Sequence, residues 1–407
     1  MSQWVATVYN AGISIGLTFL LGRVLGPEAF GQYSFILTLA SLFFILQTGG
    51  FKTLLFRERT LPSQAMAEQG ENLFSWALGN TLVVSLGGVF CILVLPFQYR
   101  LGLIFAVLYF GLLAVADFIS ATLRGAGRFP REAQWQILFR TLGAVGILVA
   151  VFWVRPTPWA VFGGWALGVL ASLFFSPVSI KRPLFGGLEI KGIRQACLGF
   201  IAIDAATVIY YRCDIILLEY LTGNSVEVGY YSAAYRFLDG ILLMVFPLRL
   251  LWFRKLRLVW EDTAYFKREM LKMVFWMFLV ACLIFGVGTV FNQEIVFLTF
   301  GREYADSVRL LPWLLLALLF ALPNSILTQG VVAQNRERYY AVVAGFAALL
   351  NILLNLVLIP EFGGMGAAWA TVFTEGFLMV VLVFGLKGEV KKRSKVKGER
   401  SKVKGEG

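Results

Sequence analysis

Residues 273–291, MVFWMFLVACLIFGVGTVF, run for 19 positions without one charged side chain. The hydrocarbon core of a bilayer is roughly 30 Å thick, and a helix needs about 20 apolar residues to cross it. This stretch therefore predicts a membrane-spanning helix. Eleven further stretches of similar length and character occur in the chain. The twelve predicted spans are 3–22, 30–50, 74–96, 101–123, 133–154, 158–178, 196–220, 228–252, 273–291, 310–332, 339–359 and 365–386.

The composition agrees with a chain that lies mostly in lipid. Hydrophobic residues make up 58% of the 407 residues and charged residues only 15%, whereas a soluble domain usually carries about 25% charged residues. The sequence contains no histidine, which excludes histidine general bases, histidine metal ligands and Ser-His triads. The four cysteines share no CxxC spacing and are interpreted as core residues. We therefore expect an all-α integral membrane protein and not a soluble enzyme.

Basic residues are distributed unevenly between the two sides of the predicted membrane. Of the 36 Lys and Arg residues, 27 lie in alternate connections and the C-terminal tail, five in the opposite connections and four inside spans. By the positive-inside rule the basic side is cytoplasmic. Both termini are predicted to lie there, as an even number of spans requires. The net charge of +12 thus follows from membrane sidedness and does not indicate a nucleic-acid partner.

A short repeat occurs at half-length. LGPEAFGQYS (residues 25–34) and GNSVEVGYYS (223–232) share a Gly, an acidic link and a Gly-x-Tyr-Ser sequence, 198 residues apart. Six spans separate the copies, so they point the same way, which is typical of a parallel repeat. We therefore predict two pseudo-symmetric six-helix lobes with a cavity between them. The predicted parts are an N-terminal lobe (1–195), a C-terminal lobe (196–386) and a disordered, Lys-rich tail (387–407).

Ionisable side chains inside the spans are candidate functional groups, because a charge in hydrocarbon is costly. The cations are Arg140, Arg212, Arg236 and Arg249, and the anions are Asp117, Asp204, Asp214, Asp239 and Glu375. In the seventh span, Asp204, Thr207, Tyr211 and Asp214 recur at helical spacing on one face.

Two interpretations of the i,i+3 pair Arg236 and Asp239 remain open at this point. The pair is either a salt bridge that satisfies both charges or part of a binding site. Arg212 and Arg140 have no clear partner within their own helices, which favours a position facing a wet cavity.

Several motifs resemble those of one transporter family. They are LGPEAFGQYS after the first span, RGAGRF (124–129), YYRCDIILLEY (210–220) with VGYYSAAYR (228–236), and NILLNLVLIPEFGGMGAAWAT (351–371). Together they resemble the polysaccharide biosynthesis and export family of oligosaccharide flippases, within the multidrug/oligosaccharidyl-lipid/polysaccharide superfamily. The resemblance covers about residues 3–386. The short basic segment that usually precedes the first helix in this family is absent here.

The resemblance implies a flippase that moves undecaprenyl-diphosphate-linked oligosaccharide repeat units across the bacterial inner membrane by alternating access. Such units feed the assembly of O-antigen, capsule or exopolysaccharide, together with other assembly proteins. The matched charged positions are Arg212, Asp214 and Arg236.

The predicted site residues follow from this implied function. Arg212, Arg236 and Arg140 are expected to attract the diphosphate, because a guanidinium stays charged and donates two parallel hydrogen bonds. Asp204, Asp214, Asp239, Glu375 and Asp117 are the candidates for binding a coupling proton or Na⁺. No nucleotide-binding motif occurs, so no other cofactor is expected.

Two alternatives come from other functional classes. A cation-coupled antiporter of the multidrug-extrusion type would share the two lobes. A membrane oligosaccharide polymerase or ligase would need an extracytoplasmic site, and the longest such connection is 292–309. Its acids Glu294, Glu303 and Asp306 are interpreted as a solvated rim, so the enzyme ranks below the antiporter.

Overall fold

The computed structural model describes residues 2–59, 64–180, 182–185 and 191–403. Side chains within these ranges are described except at residues 2–4, 58–59, 64–71, 191–196, 199, 202–203, 206–207, 210, 246–247, 250, 263 and 387–403. The described backbone is almost entirely helical and contains no β-strand. The helices are α1 (Ser2–Thr48), α2 (Phe51–Arg59), α3 (Gln64–Val94), α4 (Arg100–Gly125), α5 (Phe129–Trp153), α6 (Pro158–Leu173), α7 (Lys191–Thr222), α8 (Ser225–Leu258), α9 (Thr263–Val290), α10 (Asn292–Thr299), a 3₁₀ turn (Arg302–Tyr304), α11 (Ala305–Ala333) and α12 (Glu337–Val403).

Two of these helices are each interrupted by a glycine. The 47 residues of α1 would measure about 70 Å, more than twice the thickness of the hydrocarbon core. Gly26 divides α1 with φ 72° and ψ 172°, next to Pro27. Gly363 divides α12 with φ 55° and ψ −133°, three residues after Pro360. A positive φ, which glycine adopts readily, interrupts the helix at each of these residues. Each helix therefore consists of two membrane-crossing segments joined at its glycine.

The number of crossing segments agrees with the sequence prediction. Within the described ranges, seven helices are long and apolar enough to span a membrane, and α6 is a shorter apolar helix. The helices α1 and α12 each contribute two segments. The remaining two are α7 and α8, which have 32 and 34 residues and carry six of the nine candidate charges inside the spans. The predicted all-α membrane fold is therefore confirmed.

The chain divides into two compact units, Met1–Ile216 (unit 1) and Leu217–Gly407 (unit 2). The division falls inside α7, about one helix later than the sequence boundary at 195/196. A packing contact explains why the first part of α7 belongs to unit 1. Gly50 has φ +73°, and a Cβ added there would lie only 2.9 Å from the carbonyl oxygen of Cys197 and 3.1 Å from Phe200 Cβ. The turn between α1 and α2 is thus closely packed against α7.

In unit 1, α4 is the central helix and contacts α1, α2, α3, α5 and α6. Its Tyr109 is buried and stacks on Trp165 of α6, with ring centroids 4.1 Å apart. The closest packing joins α5 to α6 through glycines on both helices. A Cβ on Gly164 would collide with the carbonyl oxygen of Gly146, and a Cβ on Gly168 with that of Leu142. Small residues at such crossings allow two helix backbones to approach closely in lipid.

In unit 2, α11 has the corresponding central position and contacts α8, α9, α10 and α12. Its side chains Leu314, Leu318, Leu322 and Ile326 are completely buried. In the order of crossing segments, α4 is the fourth and α11 the tenth. The central helices of the two units are therefore six segments apart, the same interval as the sequence repeat.

The outer surface of each unit is apolar. On α9, Leu271, Phe275, Trp276 and Leu283 are all at least half exposed, which in a membrane protein places them against lipid tails. The backbone of α12 continues as a helix through Val403, into the tail that the sequence analysis interprets as disordered. Lys, Arg and Glu are good helix formers, so this Lys-rich segment can extend the helix.

Gly164 offers a test of the α5–α6 contact, with its neighbour Gly163 as a matched control. We expect Gly164→Ala to destabilise the protein by about 1–3 kcal/mol, because the new methyl group collides with the α5 backbone. A Cβ on Gly163 would lie 3.6 Å from the Phe105 ring, an ordinary contact. Gly163→Ala should therefore leave the melting temperature in detergent unchanged or slightly raised. Equal melting temperatures for the two variants would contradict the proposed packing.

Candidate functional site

Unit 1 contains Asp117, Arg140, Asp204, Arg212 and Asp214 among the predicted site residues. Unit 2 contains Arg236, Asp239 and Glu375. Thr207, which the sequence analysis placed on the same face as Asp204, lies outside the described side chains.

Asp117 lies in an ion pair that the sequence did not predict. Lys52, in the first turn of α2, donates a hydrogen bond from Nζ to Asp117 Oδ2 of α4 at 2.6 Å. Asp117 is 16% exposed and Lys52 is 42% exposed. Lys52 also interacts electrostatically with Asp204 of α7, whose side chain is exposed. Two of the five predicted cation-binding acids thus interact with the same lysine, Asp117 through an ion pair and Asp204 electrostatically.

Arg140 lies half-buried in α5. Its guanidinium carbon lies 5.4 Å from the centroid of the Phe139 ring, and its Nε is buried without a hydrogen-bond partner among the described residues. It also interacts electrostatically with the buried Tyr109 of α4. A guanidinium donor that is desolvated but makes no hydrogen bond can bind an incoming anion without first breaking a bond.

The seventh span places its polar residues in different environments. Asp204 and Tyr211 are exposed, Arg212 is half-buried and Asp214 is buried. Asp214 Oδ1 accepts a hydrogen bond from the backbone N–H of Ile215 at 2.8 Å. Farther along the helix, Glu219 is buried and accepts hydrogen bonds from Ser225 at 3.0 and 3.2 Å. Glu219 was not among the predicted site residues, although it lies within the predicted span 196–220.

Arg236 and Asp239 form the salt bridge that their spacing allows. Arg236 Nη1 lies 3.4 Å from Asp239 Oδ2, and the two side chains are 17% and 30% exposed. The spacing thus produces a salt bridge in this structure, and a binding role for the pair stays a prediction.

Glu375 belongs to a polar group deep in unit 2. Asn324 of α11 is buried, and its Nδ2 donates to the Glu375 backbone oxygen at 2.9 Å and to Glu375 Oε2 at 2.8 Å. Tyr340 hydrogen-bonds Thr328 and interacts electrostatically with Arg249 and Glu375. These contacts hold α12 against α11 by hydrogen bonds, which apolar surroundings strengthen.

A further buried acid, this one in unit 1, was not among the predicted site residues either. Glu132, in the first turn of α5, is completely buried. It accepts a hydrogen bond from Gln136 Nε2, and its Oε1 lies 3.5 Å from Arg124 Nε of α4. Gln136 in turn accepts a hydrogen bond from Asn10 of α1 at 2.9 Å. Glu132 lies in the predicted basic connection between the fourth and fifth spans. The sequence feature that could have identified it is a carboxylate in the first turn of a helix that begins at Phe129-Pro130.

One ion pair lies in the basic connection 253–272. Lys255 Nζ lies 2.5 Å from Glu269 Oε2. The hydrogen bond from Lys255 lowers the pKa of Glu269 and raises that of Lys255, because it stabilises both charged forms.

Unit 1 also has an apolar cavity of about 840 Å³ between α3, α4, α5 and α6, open to the surface of the unit. It is lined by side chains such as Leu82, Leu112, Val149 and Leu167 and by no charged residue. The charged candidates therefore lie elsewhere. Among the described side chains, no three Cys, Asp or Glu residues gather as a metal site would require.

The sequence matches one protein family over more than half of its length. Residues 2–250 match the family described as polysaccharide biosynthesis protein. The chain belongs to this family. No curated protein sequence matches it.

Solved structures with a similar fold are transporters and flippases. The structure titled lipid II flippase MurJ, inward closed conformation, superposes with a TM-score of 0.72 at 12% identity over 95% of this chain and 86% of that one. An inward-facing multidrug resistance MATE family transporter of the MOP superfamily gives 0.66 at 14% identity over 97% and 96%. A MOP superfamily transporter from Pyrococcus furiosus gives 0.61 at 13% over 96% of each chain. These likenesses establish the fold.

Asn324 provides a test of the polar contact between α11 and α12. We expect Asn324→Leu to destabilise the protein by about 1–3 kcal/mol, because Glu375 loses two hydrogen bonds in buried surroundings. Thermal unfolding in detergent measures the loss. Ser325→Ala is the control, since the Ser325 hydroxyl bonds only to Leu322 of its own helix among the described contacts. A loss of stability in the control equal to that of Asn324→Leu would contradict the assignment.

Proposed function

We propose that this protein is a flippase for lipid-linked oligosaccharides in the bacterial inner membrane. Its substrate is an undecaprenyl-diphosphate-linked sugar repeat unit, and it moves this unit from the inner to the outer leaflet by alternating access. The delivered units serve O-antigen, capsule or exopolysaccharide assembly, in cooperation with other assembly proteins. Membership of the polysaccharide biosynthesis family is the observation that carries the proposal.

The chemistry of the substrate agrees with the charged groups inside the spans. A diphosphate and its sugars cannot cross hydrocarbon without a polar path, whereas the polyprenyl tail can remain in lipid. Arg140, Arg212 and Arg236 are the arginines proposed to bind the diphosphate. Arg140 is supported by its Nε, which is buried and makes no described hydrogen bond.

Cation coupling is proposed to reset the cycle. Asp204, Asp214, Asp239, Glu375 and Asp117 remain the candidates for binding a proton or Na⁺. Of these, Glu375 has a buried amide donor and Asp117 a lysine partner. Both termini are proposed to lie in the cytoplasm, as the distribution of basic residues predicts.

Arg140 gives the most direct test of this function. The protein is reconstituted in proteoliposomes with a fluorescent undecaprenyl-diphosphate oligosaccharide, and exposure of the label to an impermeant quencher is followed. We expect Arg140→Gln to slow translocation about 10-fold, the loss of one charge-assisted hydrogen bond. Arg309→Gln is the control, because Arg309 is 76% exposed and pairs with Asp306 at 3.6 Å.

Transport that is equal in the two variants would remove Arg140 from the proposed site. A complete absence of flipping by the wild type, under proton and Na⁺ gradients and with several glycans, would contradict the proposed function. Cation-coupled extrusion of small molecules would then be the next assay, since MATE transporters share this fold.

A further inference from the structure

Charged side chains of α2, α4 and α7 interact with one another in unit 1. Lys52 of α2 is bound to Asp117 of α4 at 2.6 Å and interacts with Asp204 of α7. The close contact of Gly50 with Cys197 fixes the start of α2 beside α7. Lys52 lies two residues beyond the predicted span 30–50, on the side predicted to be cytoplasmic. A lysine here lies on the side from which a cytoplasmic substrate approaches.

Lys52 is shared unequally between two acids. It is bound to Asp117, whereas it interacts with Asp204 electrostatically. Both Asp117 and Arg140 of α5 also interact electrostatically with Tyr109 of α4. Lys52 is also the more exposed member of its ion pair, at 42%. Its ammonium can therefore reach a ligand that arrives from solvent.

A diphosphate is a suitable ligand for such a lysine. Lys is a common phosphate-binding residue, and its flexible side chain lets the ammonium move between acceptors. A diphosphate carries more negative charge than one carboxylate, so it competes well for the ammonium. When Lys52 turns to the diphosphate, Asp117 loses its counter-charge while only 16% exposed, so the ion pair forms again once the diphosphate leaves.

We propose that Lys52 is a loading site for the diphosphate of the lipid-linked substrate, and that Asp117 holds Lys52 between substrates. On binding, the Lys52 ammonium moves from Asp117 to a diphosphate oxygen. When the substrate moves on, the ion pair with Asp117 forms again. No covalent bond changes. The identity of the ligand rests on the proposed function, whereas the binding experiment that tests the site does not.

Binding to the purified full-length protein in detergent tests the site without any transport step. The probe is farnesyl diphosphate, and its binding is measured by calorimetry. We expect Lys52→Gln to weaken binding about 10-fold and Lys52→Arg to retain it. The matched control is Lys255→Gln, because Lys255 also pairs with a carboxylate, Glu269, at 2.5 Å. This control should bind as the wild type does.

Asp117→Asn separates this exchange from simple electrostatic attraction. In the wild type, Lys52 must leave Asp117 before it binds the probe. We expect Asp117→Asn to bind farnesyl diphosphate more tightly than the wild type, because Lys52 then has no ion pair to break. Inorganic pyrophosphate is measured in parallel, and equal affinity for the two probes would assign the site to free anions instead of a lipid-linked diphosphate.

The outcomes distinguish this site from the proposed function. Unchanged affinity in Lys52→Gln with an unchanged melting temperature would overturn the loading site, as would an equal loss in Lys255→Gln. Binding that depends on Lys52 in a protein that fails to flip any oligosaccharide would overturn the proposed function alone.

Discussion

The absence of water from the hydrocarbon core is the constraint on which this structure depends. Every backbone polar group must be satisfied there within the chain, which makes helices the only elements of the described membrane-crossing backbone. The same constraint makes each intramembrane charge costly. The contacts of these side chains show how the protein meets this cost. Asp117 binds a lysine, Arg236 binds Asp239, and Glu375 binds the amide of Asn324.

Packing in lipid follows a different rule from packing in water, because lipid tails are as apolar as the side chains they surround. The helices of each unit therefore associate through the close fit of their surfaces. Glycines at the α5–α6 crossing bring two backbones into contact. A central helix, α4 in unit 1 and α11 in unit 2, is covered by neighbours along most of its length. The equivalent positions of these two helices agree with the duplication that the Gly-x-Tyr-Ser repeat indicates.

The charged candidates differ in what binding a substrate would require of them. Arg140 has a buried nitrogen with no described hydrogen-bond partner. Arg236 already has a carboxylate at 3.4 Å and would exchange it, as Lys52 would exchange Asp117. Such exchanges let a site bind a strongly charged ligand and release it again, because each departing anion is replaced by a resident one. A flippase needs this reversibility, since it must deliver its substrate and not retain it.

The sequence by itself determined the number of crossing segments, their order and the family. These properties depend on hydropathy and on residue spacing along one helix, and lipid acts on each segment separately. For the same reason the Arg236–Asp239 pair could be foreseen from its i,i+3 spacing. Only the tertiary structure decided that Lys52 pairs with Asp117, 65 residues away, and Asn324 with Glu375, 51 residues away. It also buried Glu132 and assigned the start of α7 to unit 1. These features depend on distances between helices, and no local pattern of residues encodes such distances.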